Sequence, residues 1–149
     1  MLCVDVNVLV NSYLTQSPTH APVSAWLRDT LAGTEVIALP FEVITGFIRV
    51  TTDRRIFPIP AQPLAATAFI DSLVAHPRVL IPANAMQRYS STRRLILDLG
   101  LAGQDVPDSA LAALALDLGS AMVTSDRGFR RFPGLSVIDP AEYEGPSGR

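Results

Sequence analysis

The stretch at residues 2–10 (LCVDVNVLV) constrains this chain most, because a charged residue, Asp5, interrupts an almost wholly apolar and β-branched run. Such a run is typical of a strand buried on both faces of a parallel sheet. A buried carboxylate costs free energy unless it is paired or coordinates a cation. Asp5 therefore either ends the strand or has a positive partner. The purely structural alternative is that Asp5 and Asn7 only cap the next helix and form the turn that leads into it.

The composition favours one globular domain with a partly covered surface. A chain of 149 residues can bury a core. Only 17% of the residues are charged, against roughly 25% in an average protein, so we expect a partner or a second copy to cover part of the surface. No apolar run reaches the ~18 residues of a membrane span, and we expect no signal peptide. The single cysteine, Cys3, fits a reduced core residue, and these features together predict a cytoplasmic protein.

The basic residues restrict the chemistry, because all 12 of them are arginine. Without lysine, a Walker A loop, Schiff-base chemistry and lysine-dependent phosphoaspartate enzymes are excluded. One cysteine and two isolated histidines do not suit a structural zinc site. The net charge of −2 gives no electrostatic support for nucleic-acid binding, and the arginine pairs at 54–55, 93–94 and 130–131 fit a solvated surface. Any chemistry must therefore use carboxylates, hydroxyls, asparagine and arginine.

Strand-like and helix-like segments alternate along the chain. After the first strand, strands are predicted at residues 35–39, 78–81, 121–124 and 135–138, and helices at 8–14, 21–31, 40–50, 64–75, 85–99 and 106–118. This order predicts right-handed βαβ units and an α/β fold with a parallel sheet. In such sheets ligands bind beyond the carboxyl ends of the strands. We expect one domain over residues 1–143 and a flexible tail over residues 144–149.

Acidic residues follow the predicted strands. Asp5 ends the first strand, Glu42 comes three residues after the second, and Asp126 follows the fourth. All three should lie at one edge of the sheet, whereas Asp108, at the start of a helix, joins them only if the path of the chain allows it. Asp117 lies nine residues after Asp108 on the same helix and therefore on its opposite face, where we expect a solvated acid.

Each acid also has an explanation without chemistry. Glu42 and Asp108 could complement the N-termini of their helices, Asp105 and Asp108 could form a capping pair, and Asp126 could be a turn residue before Gly128. These explanations do not account for acids recurring at strand ends. Carboxylates that converge without lysine or arginine between them repel. A hard cation such as Mg²⁺ resolves the repulsion and bridges to phosphate, which indicates metal-assisted phosphodiester chemistry.

The chain resembles the PIN-domain family, most closely its VapC-type toxins of bacterial toxin–antitoxin pairs, over residues 2–143. The resemblance rests on four motifs in order, which are residues 4–9 (VDVNVL), 42–49 (EVITGFIR), 107–115 (PDSALAALA) and 124–135 (TSDRGFRRFPGL). It implies a single PIN-like domain with a five-stranded parallel sheet, in which the fourth strand lies beside the first. Asp5 and Asp126 would then be neighbours, and Asp108 rather than Asp105 would be the third acid of the site.

The resemblance also implies a function. The chain would be a Mg²⁺-dependent endoribonuclease in which a metal-activated water attacks RNA. Mn²⁺ could replace Mg²⁺. Asp5, Glu42, Asp108 and Asp126 would bind the metal and be the catalytic residues. The implied assembly is a homodimer neutralised by a cognate VapB-type antitoxin. Many relatives carry a further acid where this chain has Gly128, so we expect one firmly held ion.

Some polar neighbours have expected supporting roles. Asn7, Thr124 and Ser125 would orient carboxylates or water. Arg49 lies on the same helix face as Glu42 and would steady a carboxylate, meet a phosphate or form a surface pair. The rival function is a non-catalytic PIN-like module that binds RNA or protein. A phosphohydrolase with an aspartate nucleophile would need an acid in place of Asn7 and a later lysine, and the chain has neither.

Overall fold

The structure is a computed structural model that describes residues 1–83 and 85–145. The strands of this part of the chain are β1 (Leu2–Val4), β2 (Ile37–Ala38), β3 (Val79–Leu80), β4 (Ala121–Val123) and β5 (Val137–Ile138). The helices are α1 (Val6–Tyr13), α2 (His20–Ala32), α3 (Phe41–Thr52), α4 (Pro63–Val74), α5 (Ala85–Leu99) and α6 (Asp105–Asp117). Short 3₁₀ turns follow at Arg127–Arg131 and Pro140–Glu142. Residues 146–149 of the predicted tail lie outside the described residues.

The strands form one parallel sheet in the order β3-β2-β1-β4-β5. Leu2 of β1 is paired with Ile37 on one side and with Ala121 on the other. The α/β fold and the neighbouring positions of the first and fourth strands are therefore confirmed. Within the described ranges, none of the helices has the length and apolar character needed to cross a bilayer.

The first strand ends earlier than its apolar run suggests. The predicted helix at residues 8–14 begins instead at Val6, because Asp5 is extended (φ −94°, ψ 163°) and caps it. The Asp5 side chain accepts a hydrogen bond from the Val6 amide, which would otherwise have no partner in the first turn. The alternative in which Asp5 caps the helix is thus correct for its local conformation. It also places Asp5 at the carboxyl end of β1, next to β4.

The core lies between the sheet and the helices that cover it. Val4 of β1, Leu39 after β2 and Val123 of β4 are almost completely buried. On one face, the rings of Tyr13, Phe47 and Phe69 pack with centroids 5.2–5.4 Å apart and join α1, α3 and α4. Burying a large apolar side chain contributes roughly 1.5–3 kcal/mol, so this packing fixes the helices that carry the polar site.

Helices α1 and α3 approach each other closely at Gly46. A Cβ atom added to Gly46 would lie 2.7 Å from Cγ2 of Val6, closer than such atoms come in proteins. The absence of a side chain therefore lets α3 pack directly against the first turn of α1. This approach brings Glu42, one turn before Gly46, to the same cleft as Asp5.

Candidate active site

Asp5 is held in one orientation by three short hydrogen bonds. Its Oδ1 accepts from the Val6 amide at 2.6 Å. Its Oδ2 accepts from Nδ2 of Asn7 and from Oγ1 of Thr124, both at 2.7 Å. Because the donors come from both ends of the chain, the orientation depends on β1 and β4 lying side by side. Burial raises the pKa of the Asp5 carboxyl, although the bonds from Thr124 and Val6 oppose that rise.

Thr124 is the centre of this polar network. It is 1% exposed, and its Oγ1 accepts from Nδ2 of Asn7 at 2.8 Å and from the Asp126 amide at 3.0 Å. Oδ1 of Asn7 in turn accepts from the Ser125 amide at 3.3 Å. The contacts agree with the orienting role that the sequence suggested for Asn7 and Thr124.

Ser125 points to an acid that the sequence analysis missed. Its hydroxyl donates to Oδ1 of Asp139 at 2.6 Å, and the same oxygen accepts from the Ala141 amide at 3.0 Å. Asp139 directly follows β5, as Asp5 follows β1. The rule that selected the acids at strand ends would also have selected Asp139.

Asp126 is both a turn residue and a source of negative charge. Its Oδ1 accepts from the Gly128 amide at 2.7 Å, as the turn alternative predicted. Its charge also raises the pKa of two other predicted site residues, Asp5 and Asp108, after the larger effect of burial in each case. Asp126 therefore acts electrostatically on both carboxylates.

A cleft of about 620 Å³ brings Asp5, Glu42 and Asp108 together, with Arg49 also in its wall. Asp108 thus reaches the strand-end edge from the first turn of α6. Buried Cys3 lies close to two of these acids. Burial first, and then the charges of Glu42 and Asp5, raise the pKa of the Cys3 thiol to about 12.

Two arginines pair with the acids, so the idea of carboxylates converging without arginine between them was wrong. Arg88 of α5 forms an ion pair with Glu42. Arg131 bonds to Asp105 at 2.7 Å and to Asp108 at 3.2 Å. The interpretation of the arginines at 130–131 as only solvated surface residues was therefore wrong for Arg131, which binds two acids.

The predicted capping pair at the start of α6 is not formed. Gln104 is the N-cap residue, and its side chain makes no capping bond. Instead, Asp105 and Asp108 share the guanidinium of Arg131. The first turn of α6 is thus tied to the 3₁₀ turn that follows Asp126.

The donor set suits a hard divalent cation, although its members are not gathered around one point. Carboxylate oxygens are the ligands that Mg²⁺ prefers. Within residues 1–83 and 85–145, no three acidic, histidine or cysteine side chains are close enough to coordinate one ion as they stand. Arg88 and Arg131 hold two of the acids, Glu42 and Asp108. The residues therefore fit a cation chemically, and the acids must move closer together to share one.

Asp117 is separate from this site. It is exposed at the end of α6 and accepts from the Ser91 hydroxyl at 2.9 Å. It does not line the cleft that contains Asp108. The structure therefore agrees with the expectation that Asp117 is a solvated acid on the face of the helix opposite Asp108.

The fold and the cleft define a class of single-sheet α/β proteins with carboxylates at the carboxyl edge of parallel strands. A family model described as PIN domain matches residues 2–135. The chain belongs to the PIN-domain family.

Related sequences cover nearly the whole chain. VapC ribonuclease Mb2897 of Mycobacterium bovis is 38% identical over 142 residues, which cover 95% of this chain and 97% of the relative. Ribonuclease VapC25 of Mycobacterium tuberculosis is 34% identical over 140 residues, covering 94% and 99%.

Solved structures share the fold at low sequence identity. VapBC-1 of nontypeable Haemophilus influenzae has a TM-score of 0.65 at 16% identity and covers 95% of this chain and 98% of that chain. VapC20 of Mycobacterium tuberculosis, described as a sarcin-ricin loop cleaving toxin, has a TM-score of 0.64 at 14% identity, with 87% and 93% covered.

Proposed function

We propose that this chain is a Mg²⁺-dependent endoribonuclease, the toxin of a type II toxin–antitoxin system, with its nuclease domain over residues 1–143. The observation that carries the proposal is the cleft that Asp5, Glu42 and Asp108 line beside the end of β4. Relatives that are 34–38% identical over almost the whole chain bear the name ribonuclease. A phosphodiester is the substrate that such a carboxylate site with a divalent cation would suit.

Four acids form the proposed ligand and catalytic set, which is Asp5, Glu42, Asp108 and Asp126. When bound there, Mg²⁺, or Mn²⁺ in its place, would lower the pKa of a water and offset negative charge on the phosphate. Thr124 and Asn7 keep the Asp5 carboxylate directed at the site. Gly128 supplies no further acid, which favours a single ion.

Arg49 is the proposed phosphate contact. It is exposed, lines the cleft with Glu42, and makes no ion pair in the part of the chain that the structure describes. A guanidinium can bond two phosphate oxygens at once. Such a contact would help an otherwise acidic surface to hold RNA.

The proposed partners are a second copy of the chain and a cognate VapB-type antitoxin, and the proposed location is the cytoplasm. A solved relative of the same fold is a VapBC assembly. Large apolar side chains are strongly exposed along α5, namely Met86, Tyr89 and Leu97. Contiguous exposed apolar surface commonly marks a protein interface.

The test is cleavage of bacterial RNA by purified wild type and by Asp5→Asn, Glu42→Gln, Asp108→Asn and Asp126→Asn, each with Mg²⁺ or with EDTA. We expect cleavage only with the cation, and a loss of at least about 100-fold in each variant, a typical size for a catalytic group. Asp117→Asn, outside the cleft, is the matched control and should remain active. Sequencing the 5′ ends of RNA after a pulse of expression would identify the target.

The same assay separates the rival function. A non-catalytic PIN-like module would bind RNA in EDTA, leave it intact with Mg²⁺, and show no difference between the acid variants and Asp117→Asn in growth arrest. Circular dichroism of every variant checks that loss of cleavage is not loss of folding.

A further inference from the structure

We propose that Arg88 is a positioning residue that competes with the divalent cation for Glu42, and so sets how tightly the site binds metal. The inference rests on the proposed function, because it assumes that the cleft takes such a cation. Arg88 is in α5, which follows the third strand, and it lies outside the four family motifs. Nothing in its own sequence context indicated a role.

The contact between Arg88 and Glu42 joins two helices that are distant in sequence. Nη2 of Arg88 donates to Oε1 of Glu42, and 46 positions separate the residues. The side chains are 23% and 38% exposed, respectively, so the Arg88 side chain is mostly enclosed. A partly enclosed ion pair is screened less by salt than a fully exposed one. The arginine therefore has a direct hold on one of the proposed metal ligands.

The guanidinium is incompletely satisfied where it lies. Nε of Arg88 is buried and has no hydrogen-bond partner among the described residues. A buried donor without a partner opposes the conformation that contains it. The ion pair with Glu42 therefore holds Arg88 in a position that is otherwise unfavourable for its Nε–H group.

The charge of Arg88 also acts on buried Cys3, two residues before Asp5. It lowers the pKa of the Cys3 thiol, whereas the charges of Glu42 and Asp5 raise it. A cation entering beside Asp5 must therefore replace the guanidinium at Glu42 or tolerate its repulsion. Either outcome weakens cation binding relative to a site without Arg88.

Arg131, the second arginine at the site, is arranged differently. It bonds to Asp105 as well as to Asp108, so it keeps an acidic partner if Asp108 turns to a cation. Within the described ranges Arg88 pairs with Glu42 and with no other acid. If Glu42 turns to a cation, Arg88 has no second acid among the described residues to which it can pair, so we expect a stronger competition here than at Asp108.

The experiment titrates metal-stripped, full-length protein with Mn²⁺ and Mg²⁺ by isothermal calorimetry and by thermal shift, without RNA. We expect Arg88→Gln to bind the cation about two- to five-fold more tightly than wild type, the size that an ion pair near the surface gives. Arg93→Gln is the matched control. Arg93 is exposed on the same helix, about 140° around its axis from Arg88, and makes no ion pair in the described part of the chain. Its affinity should equal that of wild type.

A double-mutant cycle tests whether the effect passes through Glu42. In the Glu42→Gln background, adding Arg88→Gln should change cation affinity by less than about 1.5-fold. An equal gain in both backgrounds would overturn the proposal, since Arg88 would then act by general repulsion. Unchanged or weaker binding by Arg88→Gln alone, while wild type binds the cation, would also overturn it and leave the proposed function standing. A wild type that neither binds the cation nor cleaves RNA would remove the proposed function itself.

Folding is checked first by circular dichroism. Should Arg88→Gln fail to fold, Arg88→Met keeps most of the aliphatic stem and removes the charge, and it enters the same cycle with the same expected gain.

Discussion

Oγ1 of Thr124 donates to Oδ2 of Asp5 at 2.7 Å, although 119 positions separate the two residues. The bond links the end of β4 to the end of β1, and Asn7 bonds to both partners. A carboxylate fixed by donors on two sides cannot turn toward solvent without breaking them. Asp5 is therefore preorganised for a ligand by the sheet itself.

Replacing Thr124 by valine keeps its shape and removes its hydroxyl. The change leaves the Asp126 amide without its acceptor, leaves Nδ2 of Asn7 with Asp5 alone, and removes the Thr124 donor from Asp5, in a nearly closed environment. We expect the free energy of unfolding to fall by about 1–3 kcal/mol and RNA cleavage to fall about 10–100-fold. Denaturant unfolding and a cleavage assay at a temperature where both proteins are folded measure the two effects.

Thr124→Ser keeps the hydroxyl and is the matched control, which should retain most of the cleavage. Full activity of Thr124→Val would show that the orientation of Asp5 does not depend on this bond.

Without metal, the stability of the protein should increase as the pH falls from neutral toward the ordinary pKa of aspartate. Burial chiefly, and the charge of Asp126 in addition, raise the pKa values of Asp5 and Asp108 above their value in the unfolded chain. Just above the ordinary pKa of aspartate the folded state then binds more protons, and lowering the pH favours it. The lowered pKa values of Asp29 and Asp53 act in the opposite direction, but only below that ordinary pKa.

The measurement is the denaturation midpoint in EDTA at pH 7.0 and 5.5, for wild type and for Asp5→Asn. The variant should show a smaller pH dependence, because one of the two titrating carboxyls is gone. With excess Mg²⁺ the slope should reverse, since protons and cation compete for the same oxygens. A wild type that is less stable in EDTA at pH 5.5 than at pH 7.0 contradicts the expected sign of the pH dependence.

Asp126→Asn should melt higher than wild type in EDTA. The substitution removes a charge that acts on Asp5 and Asp108, while Oδ1 of asparagine can still accept from the Gly128 amide. Because Arg88 and Arg131 already neutralise two acids, we expect a gain of only about 1–3 °C. With saturating Mg²⁺ the wild type should gain more than the variant, since it keeps the complete site.

Four melting curves decide this prediction, from wild type and Asp126→Asn, each in EDTA and in Mg²⁺. If wild type shows no shift with the cation and the substitution lowers the melting point in EDTA, Asp126 is a capping residue and not part of a metal site.

The isolated chain should be a dimer at tens of micromolar. Met86, Tyr89 and Leu97 are 75%, 62% and 60% exposed along α5, and an apolar stripe of this kind favours association. Light scattering should report twice the mass of the chain, and Leu97→Glu should shift it toward the monomer. Leu64→Glu, which changes an exposed leucine of α4, is the control. A monomeric wild type, or a dimer unaffected by Leu97→Glu, contradicts this assignment of the interface.

Sequence patterns predicted the elements of the fold well because strand and helix periodicity are local. They also selected Asp5 and Asp126, since acids directly after strands share an edge of a parallel sheet. Asp108 could not be placed in this way, because the start of a helix leading into a strand has no fixed relation to that edge. The family resemblance selected it over Asp105.

The arginine pairs lay beyond the reach of sequence patterns. Glu42 and Arg88 come from α3 and α5, and their contact follows only from the tertiary path between these helices. Arg131 was one of two adjacent arginines, and nothing local distinguishes a solvated guanidinium from one that bridges Asp105 and Asp108. Charge pairing across elements is set by packing, whereas hydrophobic periodicity determines the elements themselves.

The close approach at Gly46 has a genetic consequence. A bacterium that loses control of such a toxin survives through any change that moves Glu42 away from Asp5. A Cβ atom at Gly46 would lie 2.7 Å from Cγ2 of Val6, so the Val6 side chain or α3 must shift, although no acidic residue is replaced. Survivors of toxin expression should therefore carry lesions at this uncharged position as well as at the acids, and an inventory of toxin genes that checks only the acids would count such silent alleles as active.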